Sequence, residues 1–192
     1  MRSPVESWSK GWAEMRIAIS GSHRTGKSTL IEELAGRLPE YGTVDEPYRL
    51  LEEDGHEFSH PPSLEDLEAQ LERSLQELSE SGENVLLDRC PIDILAYVAA
   101  HEDGEAFDWE EWLPRVREVS ETLDWVVFVP IEEPDRIRFA EADDESGTRA
   151  AVDEKLREFL FEDPLKLGLD GFEVQGDTGS RALAVLKRLR PR

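Results

Sequence analysis

The stretch GSHRTGKST, Gly21 to Thr29, follows the apolar run MRIAIS directly and leads into KSTLIEELAGRL. The pattern is Gly, four residues, then Gly-Lys-Ser. It lies between a β-branched run of strand length and a segment with Leu30, Ile31, Leu34 and Leu38 at helical spacing. Glycines let such a turn curl until successive N–H groups point inward at one anion, and the following helix adds its positive N-terminal end. The spacing therefore predicts a strand–loop–helix unit that wraps a triphosphate. Gly21, Ser22, His23, Arg24, Thr25, Gly26, Lys27, Ser28 and Thr29 are candidate nucleotide-binding residues. Lys27 is expected to reach the β- and γ-phosphates and Ser28 to ligate Mg²⁺.

Around this unit, strands are expected at 15–20, in GTVDEP ending at Glu46, at 84–89, at 123–131 and in GFEVQG (171–176). Helices are expected from Lys27 to the stop at Pro39, from the Ser63 cap to Gly82, from Pro91 to His101, over AAVDEKLREFLFED and over RALAVLKRL. Residues 101–112, HEDGEAFDWEEW, read as an acidic connection, and Trp109 and Trp112 in it as packing residues. Residues 1–14 read as a flexible arm, and 15–192 as a single domain. The strands are apolar throughout rather than alternating, and helices separate them. That combination predicts an α/β fold whose parallel sheet is covered on both faces.

Composition narrows the chemistry. The 192 residues carry 44 Asp and Glu against 22 Lys and Arg, a net charge of −22. Such a surface repels nucleic acid and anionic lipid, so neither is an expected partner. Either a salt-adapted surface or a genome that prefers arginine accounts for there being only five lysines, one of them Lys27. No apolar run approaches a membrane span, the first residues lack the apolar core of a signal peptide, and Cys90 is the single cysteine. A cytoplasmic location is expected.

A triphosphate loop needs a second element, a carboxylate at the end of a neighbouring strand, to hold the water shell of Mg²⁺. NVLLDR supplies it: four strand residues end in Asp88, the candidate holder of the Mg²⁺ water shell. Arg89 is a candidate to reach the acceptor or its phosphate, Asp93 and Arg49 to bind the acceptor. No Asn-Lys-x-Asp stretch that would read guanine is present, which disfavours a GTPase. Motor and assembly ATPases are usually longer. A compact kinase, or a nucleotide-binding switch of similar build, remains.

DRCPIDILAYV resembles the Asp-Arg-Ser/Cys segment of nucleoside and nucleotide kinases, and DEPYRLL the Glu-Pro segment of deoxynucleoside kinases. With GSHRTGKSTL, GTRAAVDEKLREFL and EVQGDTGSRALAVL, the order over about residues 15 to 190 is similar to small P-loop kinases of the AAA-type ATP-binding group, relatives of the nicotinamide riboside kinase domain. This resemblance implies a three-layer P-loop fold with strand order 2-3-1-4-5 and a small helical lid at about 132–149. It implies ATP and Mg²⁺ as cofactors, a small-molecule acceptor, and Glu46 as general base. It implies that Arg136 and Arg149 neutralise the transferring group from the lid, and that Gly176, Asp177 and Arg181 cradle the adenine. A nucleoside-like acceptor is the reading adopted. A sugar or vitamin alcohol, or a regulatory NTPase switch, is the alternative.

Overall fold

The structure is a computed structural model and describes residues 14–135 and 145–189. The chain's most apolar run becomes its central strand. β1 (Arg16–Ser20) lies between β3 (Val85–Asp88) and β4 (Trp125–Phe128), and β2 (Gly42–Val44) and β5 (Gly171–Glu173) close the edges in the order β2-β3-β1-β4-β5. Every pairing is parallel. This is the order that the resemblance implied. Ile17, Ala18, Ile19, Leu86, Val126, Val127 and Phe128 have no solvent exposure, which is why those strands show no polar alternation.

The two-residue period of a strand sorts these side chains into two cores. Ile17, Ile19, Leu86, Val127 and Val129 meet α1 (Lys27–Arg37) and α7 (Thr178–Leu189). Ala18, Val85, Leu87, Val126 and Phe128 meet α3 (Leu64–Glu80), α4 (Pro91–Ala100), α5 (Trp109–Ser120) and α6 (Glu145–Phe161). The α3 stripe Leu67, Leu71, Leu75 and Leu78 is buried as its spacing predicts, and Ser63 and Asp66 form the expected capping box at its start.

Two helices were not legible in the sequence. α2 (Pro47–Glu53) is one short piece that buries only Pro47. α5 replaces the C-terminal part of the expected acidic connection. Asp108 caps it by accepting from Glu111 N at 3.0 Å, and Trp112, Val116 and Ser120 make a buried stripe at four-residue steps. Pro114 lies inside it and withholds one backbone N–H, the signal that disguised it. The predicted strands are also longer than those observed, since β2 stops at Val44 and β4 at Phe128. The expected arm lies outside the described residues except for Glu14, and so do residues 136–144 of the expected lid. Residues 145–149 of that span are instead the first turns of α6. Among the described residues no helix is long and apolar enough to cross a membrane.

Register sets the functional rim. Ile19 pairs with Asp88, Ser20 with Phe128 and Val44 with Leu87, so the carboxyl ends of β1 to β4 lie along one rim. Glu46 and Arg89, each two residues beyond a paired Val44 and Leu87, leave the sheet side by side.

Leu71 is fully buried between α3 and the sheet. Leu71→Ala should lower unfolding stability by about 2–5 kcal/mol, with the denaturant slope unchanged, in a chemical denaturation experiment.

Candidate functional site

A buried carboxylate anchors the start of the loop. Asp93 has no exposed surface. It accepts from Ser20 Oγ at 2.7 Å, Gly21 N at 3.0 Å and Cys90 N at 2.9 Å. It thus joins the end of β1, the start of the loop and the first turn of α4. This corrects the expectation that Asp93 binds the acceptor: its oxygens are occupied and enclosed. Gly21 is required for space. A Cβ there would lie 2.4 Å from the Val129 carbonyl oxygen and 2.9 Å from Thr25 Oγ1. Gly26 ends the loop at φ 91°, the left-handed region, and caps α1.

Lys27 is buried at the first turn of α1, and its Nζ donates to the Ser22 carbonyl at 2.9 Å. Thr25 Oγ1 donates to the same carbonyl at 3.1 Å. Burial, with the Arg89 charge second, lowers Lys27 from its ordinary value to about 8. Ser28 Oγ donates to Asp88 Oδ2 at 2.6 Å. Asp88 Oδ1 is buried and, among the described residues, has no hydrogen-bond partner. Burial raises the Asp88 carboxyl, with Lys27 and the Ser28 hydroxyl pulling the other way. A hydroxyl and a carboxylate with a spare buried oxygen are hard donors that fit Mg²⁺, which keeps most of its other positions for phosphate and water. Among the described residues no cluster of three metal-ligating side chains competes for that role. Arg24 in the loop and Thr29 in the first turn of α1 are exposed.

Across the loop, Arg89 sits at φ 76° with its guanidinium buried. Nε donates to Glu46 Oε2 at 2.9 Å, Nη1 to the Gly21 carbonyl at 3.1 Å and Nη2 to Tyr97 Oη at 3.3 Å. Burial alone would lower Arg89, but Tyr97, Asp93 and Glu46 outweigh it and hold the group charged. For Glu46, burial pushes the carboxyl up and Arg89 more than compensates, leaving it below its ordinary value. Arg49, expected at the acceptor site, is instead exposed, 3.4 Å from Glu53 on its own helix and 3.8 Å from Asp45 ahead of it. Trp112 and Trp109 pack with Phe107 in the core, as expected of packing residues.

Arg149, at the far end of the expected lid, reaches the loop. It is buried, its Nε donates to the His23 carbonyl at 2.8 Å, and Nη1 pairs with Asp135. Arg136 lies outside the described residues. Arg181 is also buried, with Nη1 donating to the Thr25 carbonyl at 2.8 Å and Nη2 to Glu132 at 2.9 Å. It therefore braces the loop from below rather than offering a face for a base to stack on, a correction to its expected role. Gly176 N donates to Glu132 Oε1 at 2.6 Å, and Asp177 Oδ1 accepts from Ser180 N at 2.7 Å, the geometry of a helix cap. Neither leaves that group facing an adenine edge. Tyr97 and Glu132 were missed in the sequence. Tyr97 follows Asp93 by one helical turn on α4, which is the only signal that placed it on the same face.

The profile of the AAA domain family AAA_28 matches residues 16–181. No curated protein sequence matches the chain. Among solved structures, a deoxyadenosine kinase from M. mycoides with bound dATP is similar at TM-score 0.64 and 18% identity, over 91% of this chain and 98% of that one. The NadR protein in complex with NR is similar at TM-score 0.64 and 18% identity, over 91% of this chain and 49% of that one. A shikimate kinase from Acinetobacter baumannii in complex with shikimate is similar at TM-score 0.55 and 16% identity, over 93% and 94%. At these identities the likeness is one of fold.

The lowered Lys27 makes phosphate binding pH-dependent with a definite sign. A triphosphate favours the protonated lysine, so above pH 8 each binding event takes up a proton. Affinity for a non-hydrolysable Mg·ATP analogue should fall by up to about tenfold per pH unit above that point, and calorimetry in buffers of different ionisation heat reads the proton directly. Lys27→Ala should remove this limb and cost about 1.5–3 kcal/mol of binding. A flat affinity between pH 7 and 10 contradicts the assignment.

Proposed function

The chain belongs to the AAA domain family, and from that premise we propose that it is an ATP- and Mg²⁺-dependent kinase of a small hydroxyl acceptor, a nucleoside or nucleoside-like molecule. The observation that carries the reading is the Arg89–Glu46 pair, which sets an ionised carboxylate on the sheet rim beside the loop. The rim outside the carboxyl ends of parallel strands is where such sheets bind ligands.

Phosphoryl transfer needs positioning and charge neutralisation more than covalent help from the protein. In this reading the loop amides and Lys27 hold the triphosphate, and Arg149 adds charge where the γ-phosphoryl group would lie. Ser28 directly, and Asp88 through water, would hold Mg²⁺, which would neutralise phosphate charge. Glu46 accepts a hydrogen bond from the acceptor hydroxyl. As the acceptor oxygen bonds to the γ-phosphorus, the bond to the ADP oxygen breaks and the hydroxyl proton passes to Glu46. The pull of Arg89 keeps Glu46 ionised at neutral pH, so it is ready to receive that proton.

The acceptor class follows from charge. Arg89 is already neutralised by Glu46 and tied to Gly21 and Tyr97, so it has little to offer a phosphomonoester. A 5′-phosphate would meet the Glu46 carboxylate, whereas ribose hydroxyls bind carboxylates well. Tyr48, two residues from Glu46, stacks on Phe58 with ring centroids 4.1 Å apart, a flat apolar pair suited to the neighbourhood of a base. The fold likeness to a deoxyadenosine kinase and to NadR with NR supports the same class. The likeness to a shikimate kinase keeps a non-nucleoside alcohol as the second reading.

A matched series of nucleosides, their monophosphates and sugar alcohols, followed by coupled ADP release, tests this. Nucleosides should turn over fastest, and Glu46→Gln should cut that turnover by about 10²-fold or more with nucleotide binding near normal. Faster monophosphates would make the protein a nucleotide kinase. Silence across the series with tight ATP binding would make it a switch.

A further inference from the structure

The hydroxyl of Tyr97 stands where the triphosphate loop and the Arg89–Glu46 pair meet. A tyrosine hydroxyl has one proton and two lone pairs. His23 N donates to it at 3.1 Å and Arg89 Nη2 at 3.3 Å, and these two donors use both lone pairs. Its own proton then has His23 Nδ1, 3.2 Å away, as its acceptor. That nitrogen must be the bare one of a neutral imidazole. Burial, followed by the charges of Arg89, Arg149, Lys27 and Arg24, lowers His23 to about 4, so the ring is neutral at physiological pH. The hub is internally consistent: every hydrogen-bonding capacity of one oxygen is used, and by two elements that carry different halves of the site.

The ring of Tyr97 adds a second hold. Arg89 Cζ lies 5.1 Å from its centroid, so the guanidinium is stacked as well as bonded. On the other side, the His23 carbonyl accepts from Arg149 Nε at 2.8 Å. The His23 backbone is thereby held from α4 through its N–H and from α6 through its carbonyl. A shift of the loop at His23 must move the Tyr97 hydroxyl, and that hydroxyl bears on the guanidinium that holds Glu46.

We propose that Tyr97 is a positioning residue that couples the two halves of the site: its hydroxyl links the loop backbone at His23 to the guanidinium that orients Glu46, so that filling the triphosphate loop orders the acceptor side. This rests on the reading of Glu46 as the acceptor-side base. Tyr97 acts through Arg89 and His23 and needs no contact with either substrate. A purely structural tyrosine would stabilise α4 without making one half of the site respond to the other.

Hydrogen exchange read by mass spectrometry on the full chain tests this without knowledge of the acceptor, with Mg·AMPPNP as the probe. In the unsubstituted protein, the analogue should slow exchange both in the loop, residues 21–30, and at the start of α2, residues 46–51. The effect at 46–51 should be about fivefold or more, the low end of coupling between sites. Tyr97→Phe keeps the ring under the guanidinium and deletes only the hydroxyl. It should retain slowed exchange at 21–30 and lose it at 46–51. Equal protection of 46–51 in Y97F, or none there in the unsubstituted protein, overturns the proposal. If Y97F does not fold, the unsubstituted protein still decides: slowed exchange at 21–30 with none at 46–51 overturns the proposal on its own. Failure to phosphorylate any acceptor would sink the kinase reading and leave this exchange pattern standing. Loss of the pattern in a working kinase would sink the coupling alone.

Discussion

The carboxylate of Asp93 is the constraint on which the rest of the site depends. A fully enclosed charge is costly unless it is paired and hydrogen-bonded. Here Ser20 Oγ, Gly21 N and Cys90 N supply donors, and Arg89 Nη1 lies 3.8 Å away. Those partners come from the end of β1, the first residue of the loop and the start of α4. One side chain therefore fixes where the loop leaves the sheet and how α4 begins. Arg89, one residue before the cap, is turned to φ 76° by that same junction and meets both Gly21 and Glu46.

The charge distribution has the same logic. The chain carries a net charge of −22, yet Lys27, Arg89, Arg149 and Arg181 are buried around one loop. Each has an acidic or carbonyl partner: Ser22, Glu46, Asp135 and Glu132. A preorganised cationic pocket inside an acidic surface favours a compact polyphosphate, which can enter it, over an extended polyanion, which must cross that surface. The cations come to the loop from four places in the fold: Lys27 from the first turn of α1, Arg89 from just beyond β3, Arg149 from α6 and Arg181 from α7.

The sequence made the loop legible because its chemistry is local. Gly21, Gly26 and Lys27 must be adjacent in the chain to do their work, and the flanking apolar runs announce their elements. Asp88 was readable for the same reason, as the polar end of an apolar strand. Asp93 was misread because an acid three residues past a helix cap looks alike whether it serves the cap, the loop or an acceptor. Only its complete burial separates these roles. Arg181 was misread because its partners Thr25 and Glu132 are remote in sequence. Tyr97 gave almost no signal, since an aromatic on a largely apolar helix reads as core. α5 was hidden by its acids and by Pro114, although tertiary packing of Trp112 and Val116 overrides both.

In the function proposed here, the γ-phosphoryl group of ATP passes to a carbon-bound hydroxyl and not to water. Phosphorus NMR of the protein with Mg·ATP and a mixture of nucleosides observes that transfer directly. The account predicts a phosphomonoester resonance that grows in step with ADP. Growth of ADP with inorganic phosphate alone would contradict it.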